Sequence, residues 1–303
     1  MQDQSPFLSP VHPAIAAVIK VSLAGIPSLI GSGFFISTNG LFVTAKHVIR
    51  DNMNNEENEI GGIGALLLDA NNFGQYLPLV WSSWHPVKDI AVSDTRPRFS
   101  GDGQPITTEC LPLSIVEPAK GSTITSRFFC HSDRAISDKD LVLREEPRTI
   151  VKFELEHIFL GGQNGTPYTT AGFLKSLVGS QDRTGQLRKH YRPVRDSVML
   201  PFPVFESDLA IPGSGSGGPV FNELGKVIGI NTTGIPGSDI SHHTSISELL
   251  ELQARVTVSG SPEHYLARVG DLARTGRLPI EGVDADPTMP LGVDYMPSVA
   301  SKA

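Results

Sequence analysis

The chain has 303 residues, 39% of them hydrophobic and 19% charged, which suits one large domain or two small ones with packed cores and excludes global disorder. A formal net charge of −7 argues against a general nucleic-acid binder. The only cysteines, Cys110 and Cys130, do not make a disulfide-stapled scaffold and are expected to be buried thiols.

The N-terminus, Met-Gln-Asp-Gln-Ser-Pro, has no basic region followed by a long apolar core, so a cytoplasmic protein is expected. The first apolar run, Ile15 to Leu23, contains Lys20 and is too short to span a bilayer. Short β-rich runs follow one another at Val18–Leu23, Ser28–Ser37 and Leu41–Thr44, with Asn39-Gly40 as a hairpin signal between the last two. Asp51–Glu59 is polar and acidic and reads as an exposed loop or a helix end. More strand-like runs lie at Ala65–Leu68, Ile90–Val92, Ser122–Cys130, Thr149–Leu155 and Val227–Asn231. The basic stretch Arg183–Arg195 reads as a solvated loop. Helical periodicity is scarce until Ile246–Gln253. Ser261–Thr275 is expected to be a helix with Tyr265, Leu266, Val269 and Leu272 on one side. Residues 279–303, rich in proline, acids and small residues, are expected to be mobile or loosely packed. Many short strands with turn punctuation favour a barrel or a sandwich.

Three local contexts carry chemistry. Ser216 lies in Ser214-Gly-Ser-Gly-Gly-Pro219, where glycines permit a tight turn that exposes a hydroxyl and brings backbone N–H groups near a carbonyl. Such a run alone is more often a flexible loop, but Pro-Val-Phe-Asn and Gly-Lys-Val-Ile-Gly-Ile-Asn follow it and anchor it between strands. Ser214 is the competing serine; the Gly-Gly-Pro after Ser216 favours Ser216. His47 ends the apolar run Leu41-Phe-Val-Thr-Ala and is a candidate base, although alone it reads as a bonded core histidine. Asp89 enters the apolar Ile-Ala-Val, where a carboxylate needs donors, and an imidazole N–H is a suitable one. Its bland reading is a strand-capping aspartate. No Cys-x-x-Cys or His-x-x-x-His pair suggests a metal site.

Taken together, Gly31-Ser-Gly-Phe-Phe-Ile, Phe42-Val-Thr-Ala-Lys-His-Val, Asp89-Ile-Ala-Val and Ser216-Gly-Gly-Pro-Val-Phe-Asn resemble the trypsin-like (chymotrypsin-fold) serine peptidases. The similarity covers roughly residues 14–255. Asp208-Leu-Ala-Ile-Pro-Gly and Val227-Ile-Gly-Ile-Asn give it the flavour of bacterial HtrA/Deg protease domains. The segment after residue 255 is expected not to hold the PDZ domain such proteins often add. The glutamyl endopeptidase branch is also similar, but it has a histidine where Asn231 stands here. Ser214 replaces the family's usual glycine, Gly215 replaces the aspartate that pairs with a new N-terminus in trypsin zymogens, and Lys46 replaces a common alanine.

The resemblance implies an all-β fold of two packed six-stranded antiparallel β-barrels with a short helical or irregular C-terminal extension. A peptidase domain is expected over residues 11–255, with barrels at about 14–115 and 119–255, and the extension over 256–303. It implies a serine endopeptidase acting through an acyl-enzyme, with Ser216 as nucleophile, His47 as base and Asp89 as its orienting partner. Ser214, Gly215 and Ser216 are the expected oxyanion hole, and Ala210, Thr232, Thr233 and Gly234 the expected substrate-binding residues. Asp208, His242 and His243 are rivals for the specificity pocket; the histidines otherwise read as solvated loop residues. The implied partner is a protein or peptide substrate, with no cofactor, metal, nucleic acid or membrane. A catalytically silent trypsin-like binding module, or a regulated effector protease of a multi-component defence or stress system, remain the alternatives.

Overall fold

A computed structural model of the chain describes residues 12–22, 27–53, 60–68, 74–95, 98–99, 105–131, 178–235, 237–257, 264–292 and 294–295. The expected strand Thr149–Leu155 and residues 54–59 of the acidic segment lie outside them.

The first barrel is built from β1 (Ile15–Ser22), β2 (Pro27–Phe35), β3 (Leu41–Thr44), β4 (Ile60–Leu68), β5 (Gly74–Trp84) and β6 (Ala91–Thr95), closed in the order β1-β2-β3-β6-β5-β4. Ala14 through Ile19 are all buried, which explains a continuous apolar run where one covered face alone would have produced alternation. The Asn39-Gly40 signal joins β2 to β3, with Phe35 opposite Phe42 and their ring centroids 5.0 Å apart. Helix α1 (Lys46–Met53) leaves β3 directly. Two short strands, β7 (Arg98–Phe99) and β8 (Pro105–Ile106), pair with each other before the chain reaches β9 (Leu113–Ser114).

The second barrel uses β10 (Thr123–His131), β11 (Val178–Tyr191), β12 (Val204–Ser207), β13 (Pro219–Phe221), β14 (Val227–Gly234) and β15 (Ser241–Ser245). Its ring runs β13-β10-β11-β12-β15-β14 and closes through β13–β14 pairing, while β9 adds to β14 in parallel. Ile124, Leu187, Phe205, Val220 and Ile228 fill it. The fold is therefore all-β with two closed six-stranded antiparallel barrels, as the resemblance implies.

The polar stretch read as a solvated loop is mostly strand: β11 runs to Tyr191 and pairs along β10 from Gln186 opposite Thr123 to Val178 opposite His131. Its charges are accommodated by partners: Arg188 pairs with Asp208 at 2.5 Å and Arg195 with Asp196 at 2.7 Å, and Asp182, just before it, is held by Arg127 on β10 through Nε at 2.5 Å and Nη2 at 2.6 Å. A strand with one wet face needs backbone partners more than apolar side chains.

After the second barrel come a 3-10 helix (Ile246–Glu251), β16 (Gln253–Thr257), β17 (His264–Arg268), helix α2 (Val269–Arg274), β18 (Ile280–Glu281) and β19 (Asp294–Tyr295). The expected helix over Ser261–Thr275 is thus strand in its middle and helix only at its end. Pairing of β17 with β16 supplies every residue from Gln253 to Thr257 with a cross-strand neighbour, and this overrides the helical spacing. Leu278 and Ile280 are buried in the same apolar cluster as the first barrel, and Ile280 pairs with Leu113, whereas most of the described residues from Glu281 to Gly292 are exposed. Cys130 is buried on β10, Cys110 is exposed rather than buried, and neither forms a disulfide. Among the described residues no helix is long and apolar enough to cross a membrane.

Candidate active site

Strand β3 pairs with β6, with Thr44 opposite Ala91, and this brings the residues just beyond those strand ends together. His47 follows β3 in the first turn of α1, and Asp89 lies in the loop that leads into β6. Both carboxylate oxygens of Asp89 are used. The His47 backbone N–H donates to Oδ1 at 3.0 Å, and the ring Nδ1 lies 2.8 Å from Oδ2. Nδ1 therefore carries the proton that Asp89 accepts, and Nε2 of the neutral ring is left as the basic nitrogen. The His47 side chain is 38% exposed and that of Asp89 13%. Burial of the imidazole works to lower its pKa, but the Asp89 hydrogen bond and charge, with Asp51 adding to them, outweigh it and hold His47 above its ordinary value.

Ser216 follows a 3-10 turn, Gly213–Gly215, that leads through Gly217 and Gly218 into β13. Carbonyls of this turn are held from both barrels. Ser32 on β2 donates its Oγ–H to the Ser214 carbonyl at 3.1 Å and its N–H to the Ser216 carbonyl at 2.8 Å. From β14, Asn231 donates its Nδ2–H to the Gly215 carbonyl at 3.1 Å. The close approach of the turn to β3 needs Gly217, whose φ is +83° and whose added Cβ would stand 2.2 Å from Thr44 Oγ1.

The serine hydroxyl does not meet the imidazole. Ser216 Oγ instead reaches toward the Thr232 carbonyl at 3.5 Å, a distance at the outer limit of a hydrogen bond. His47 and Asp89 are thus joined, while a triad geometry including Ser216 is not formed. Of the three expected oxyanion residues, Gly215 has its N–H occupied by the Pro212 carbonyl at 2.8 Å. Ser214 and Ser216 are both buried, and the Ser214 hydroxyl has no partner among the described residues.

Two clefts lie at the site. One, of about 280 Å³, holds His47, Asp89, Leu200, Phe202, Thr232 and Thr233 on its walls. The other, of about 380 Å³, is lined by Ser216 with Ala210, Ile211, Gly213, Thr233 and Gly234. Ala210, Thr233 and Gly234 therefore share a wall with the serine, whereas Thr232 faces the histidine side. The three rivals lie elsewhere. Asp208 accepts the Gln186 N–H and pairs with Arg188, each at 2.5 Å.

His242 and His243 are buried on β15, not solvated in a loop. His243 donates Nδ1–H to Asn231 Oδ1 at 3.1 Å, and its Nε2 accepts from Ser207 Oγ at 2.6 Å. Burial, with the neighbouring His242, pushes its pKa down to about 3, so the ring is neutral and structural. His242 Nε2 stands 3.3 Å from a Glu206 carboxylate oxygen. Asn231 thus points beneath the turn that carries Ser216.

Two residues without a role assigned from the sequence take part in the site, Ser32 and Lys46. Ser32 lies inside the Gly31-Ser-Gly motif, where only its position between two glycines marks it. Lys46 is buried, and its Nζ donates to the Pro86 carbonyl at 2.5 Å. Among the described residues no group of three His, Cys, Asp or Glu side chains could hold a metal ion.

No protein-family model matches the sequence, and no curated protein matches it. Among solved structures, the chain is similar to the apo MamO protease domain from Magnetospirillum magneticum, with 15% identity, a TM-score of 0.47 and coverage of 79% of this chain and 95% of that one. It is also similar to Deg5, with 17% identity, a TM-score of 0.47 and coverage of 78% of this chain and 85% of that one.

Proposed function

We propose that the chain is a serine endopeptidase whose peptidase unit spans residues 11–255, the short segment after the second barrel included, with an extension over 256–303. The two-point contact of Asp89 with His47 carries this reading, because it fixes the imidazole tautomer that a serine nucleophile requires. In the reaction, Ser216 Oγ swings from the Thr232 carbonyl to His47 Nε2. His47 takes the hydroxyl proton as Oγ attacks the substrate carbonyl carbon. Breakdown of the tetrahedral adduct expels the amine, which leaves with that proton, and forms the acyl-enzyme. Water activated by His47 then releases the acid and restores Ser216.

A 3-10 turn directs N–H groups back to carbonyls three residues earlier, as Gly215 N–H is directed to Pro212. Substrate therefore unwinds Gly213–Gly215 so that the Ser214 and Ser216 N–H groups face the developing oxyanion. This requirement also favours a second reading, a protease held inactive until a partner or substrate reshapes the turn, or one that only binds.

The test is covalent labelling of Ser216 by a fluorophosphonate, read by intact mass. Labelling of the wild-type chain, retained in Ser214→Ala and lost in a folded Ser216→Ala, is the expected result. Loss in Ser214→Ala with retention in Ser216→Ala moves the nucleophile to Ser214. An unlabelled wild-type chain, with and without peptides, supports the binding module.

A further inference from the structure

The loop that carries Asp89 is tied down by charges from outside its own barrel. It spans His85 to Ile90 between β5 and β6, and the His85 N–H closes it on the Ile90 carbonyl at 3.1 Å. Inside it, His85 Nδ1 accepts the N–H groups of Val87 at 3.1 Å and Lys88 at 2.9 Å. That assigns the ring proton to Nε2, which donates to Glu251 Oε2 at 3.0 Å. Lys88 Nζ also donates to Glu251 Oε2, at 2.8 Å, and pairs with Glu248. Both glutamates sit on the 3-10 helix Ile246–Glu251, which follows the second barrel. One turn of chain later, Arg255 on β16 binds Asp94 on β6, with Nη2 to Oδ2 at 2.6 Å. The segment after the second barrel therefore holds the Asp89 hairpin at its loop and along its second strand.

The Lys88–Glu248 contact is largely out of water: the side chains are 16% and 8% exposed. A pair of this kind stabilises a fold little better than apolar side chains of the same size, and its best-attested use is to specify one geometry. Here the geometry at stake is adjacent. Lys88 precedes Asp89, and the carboxylate must present one oxygen to the His47 backbone and the other to its ring. A short loop held only by its own backbone is the kind of element that opens locally. From the other side, Lys46, next to His47, donates to the Pro86 carbonyl of the same loop.

We propose that Lys88, held by Glu248 and Glu251, is a positioning residue that sets Asp89 against His47, so that the segment following the second barrel governs the candidate base of the first. The inference deepens the peptidase reading and rests on it only for its kinetic consequence. The groups that act on the His47 charge are Asp89, Asp51 and Arg50. Loss of the Lys88 ammonium by charge alone would raise the His47 pKa, whereas displacement of Asp89 lowers it. The two effects have opposite signs.

The experiment is NMR titration of the His47 imidazole in the full chain, its resonance assigned by its loss in His47→Gln. Lys88→Met is expected to lower the His47 pKa toward its ordinary value, and Lys88→Arg to restore it. In turnover, Lys88→Met is expected to reduce kcat on the order of tenfold to a hundredfold with KM little changed. The double variant Lys88→Met with Glu248→Leu removes the pair without stranding a charge, and is expected to give the same lowering if the single variant does not fold. An unchanged or raised His47 pKa in the folded variants overturns the proposal. Because the titration needs no turnover, a chain that never labels at Ser216 can still show the expected shift, and a labelling enzyme can fail to show it.

Discussion

Asn231 supports the Gly215 carbonyl from beneath, donating Nδ2–H over 3.1 Å and tying β14 to the turn that presents Ser216. The contact belongs to a buried chain: Asn231 Oδ1 accepts from His243, and His243 accepts from Ser207, whose Oγ in turn accepts the Leu209 N–H at 3.3 Å. Leu209 adjoins Ala210 on the cleft wall. The Ser216 turn and the wall beside it are thus held by one set of neutral polar side chains, in a barrel whose apolar cluster is small.

Asn231→Ala is expected to strand the His243 Nδ1–H and remove one donor from Gly215. Leaving buried polar groups without partners costs about 1–3 kcal/mol each. Urea unfolding should report a loss of that size, and fluorophosphonate labelling of Ser216 should slow because its turn loosens. Wild-type stability and labelling in the variant would show that the chain of bonds does not hold the turn.

In the proposed reaction the His47 pKa sets the acidic limb of activity. Burial opposes the charged ring, but the Asp89 bond and charge outweigh burial, so the group titrates above the ordinary 6.5. A general base acts in its neutral form. The labelling rate at Ser216 is therefore expected to rise with pH through a midpoint above 6.5. The same raised pKa gives a stability contribution fully present below the unfolded-state value and lost as pH rises through the folded one. Asp89→Asn should move the limb down and cut the rate on the order of 10⁴-fold, as wrong-tautomer variants do. A limb below 6.5 in the wild-type chain, or one that ignores Asp89→Asn, contradicts the assignment.

Specificity should follow the uncharged cleft beside Ser216. Ala210, Ile211, Thr233 and Gly234 offer no charge to a buried arginine or lysine. Small or medium apolar residues, such as Val, Ala or Leu, are expected before the scissile bond in a peptide-library cleavage profile. A profile dominated by Arg or Lys would overturn this, and one dominated by Glu would require a cation that buried, neutral His243 does not supply.

Much of the candidate site was legible because its parts are local. An apolar run leading into Ala-Lys-His, an aspartate entering Ile-Ala-Val and a serine between glycines each announce themselves over a few residues. Strand positions were legible for the same reason in β1 to β3, where apolar runs are long and turn residues separate them. The signal failed where partners come from afar. Nothing near Arg183–Arg195 says that β10 and β12 will pair with it on either side. Nothing near His264–Arg268 says that β16 will claim it as a strand.

The sequence by itself determined the residue types available for chemistry, their order along the chain and an all-β barrel or sandwich of short strands; the two-barrel architecture came from the resemblance carried by its motifs. Tertiary structure decided how those residues are oriented. It joined His47 to Asp89 through the pairing of β3 with β6, but turned the Ser216 hydroxyl to the Thr232 carbonyl. It gave Lys46, Ser32 and Asn231 tasks that no neighbour in sequence reveals, and it took His242 and His243 out of solvent. The physical reason is that a polar side chain is placed by whichever donor or acceptor the fold brings within about 3 Å of it, and in these cases that partner lies on a distant segment of chain.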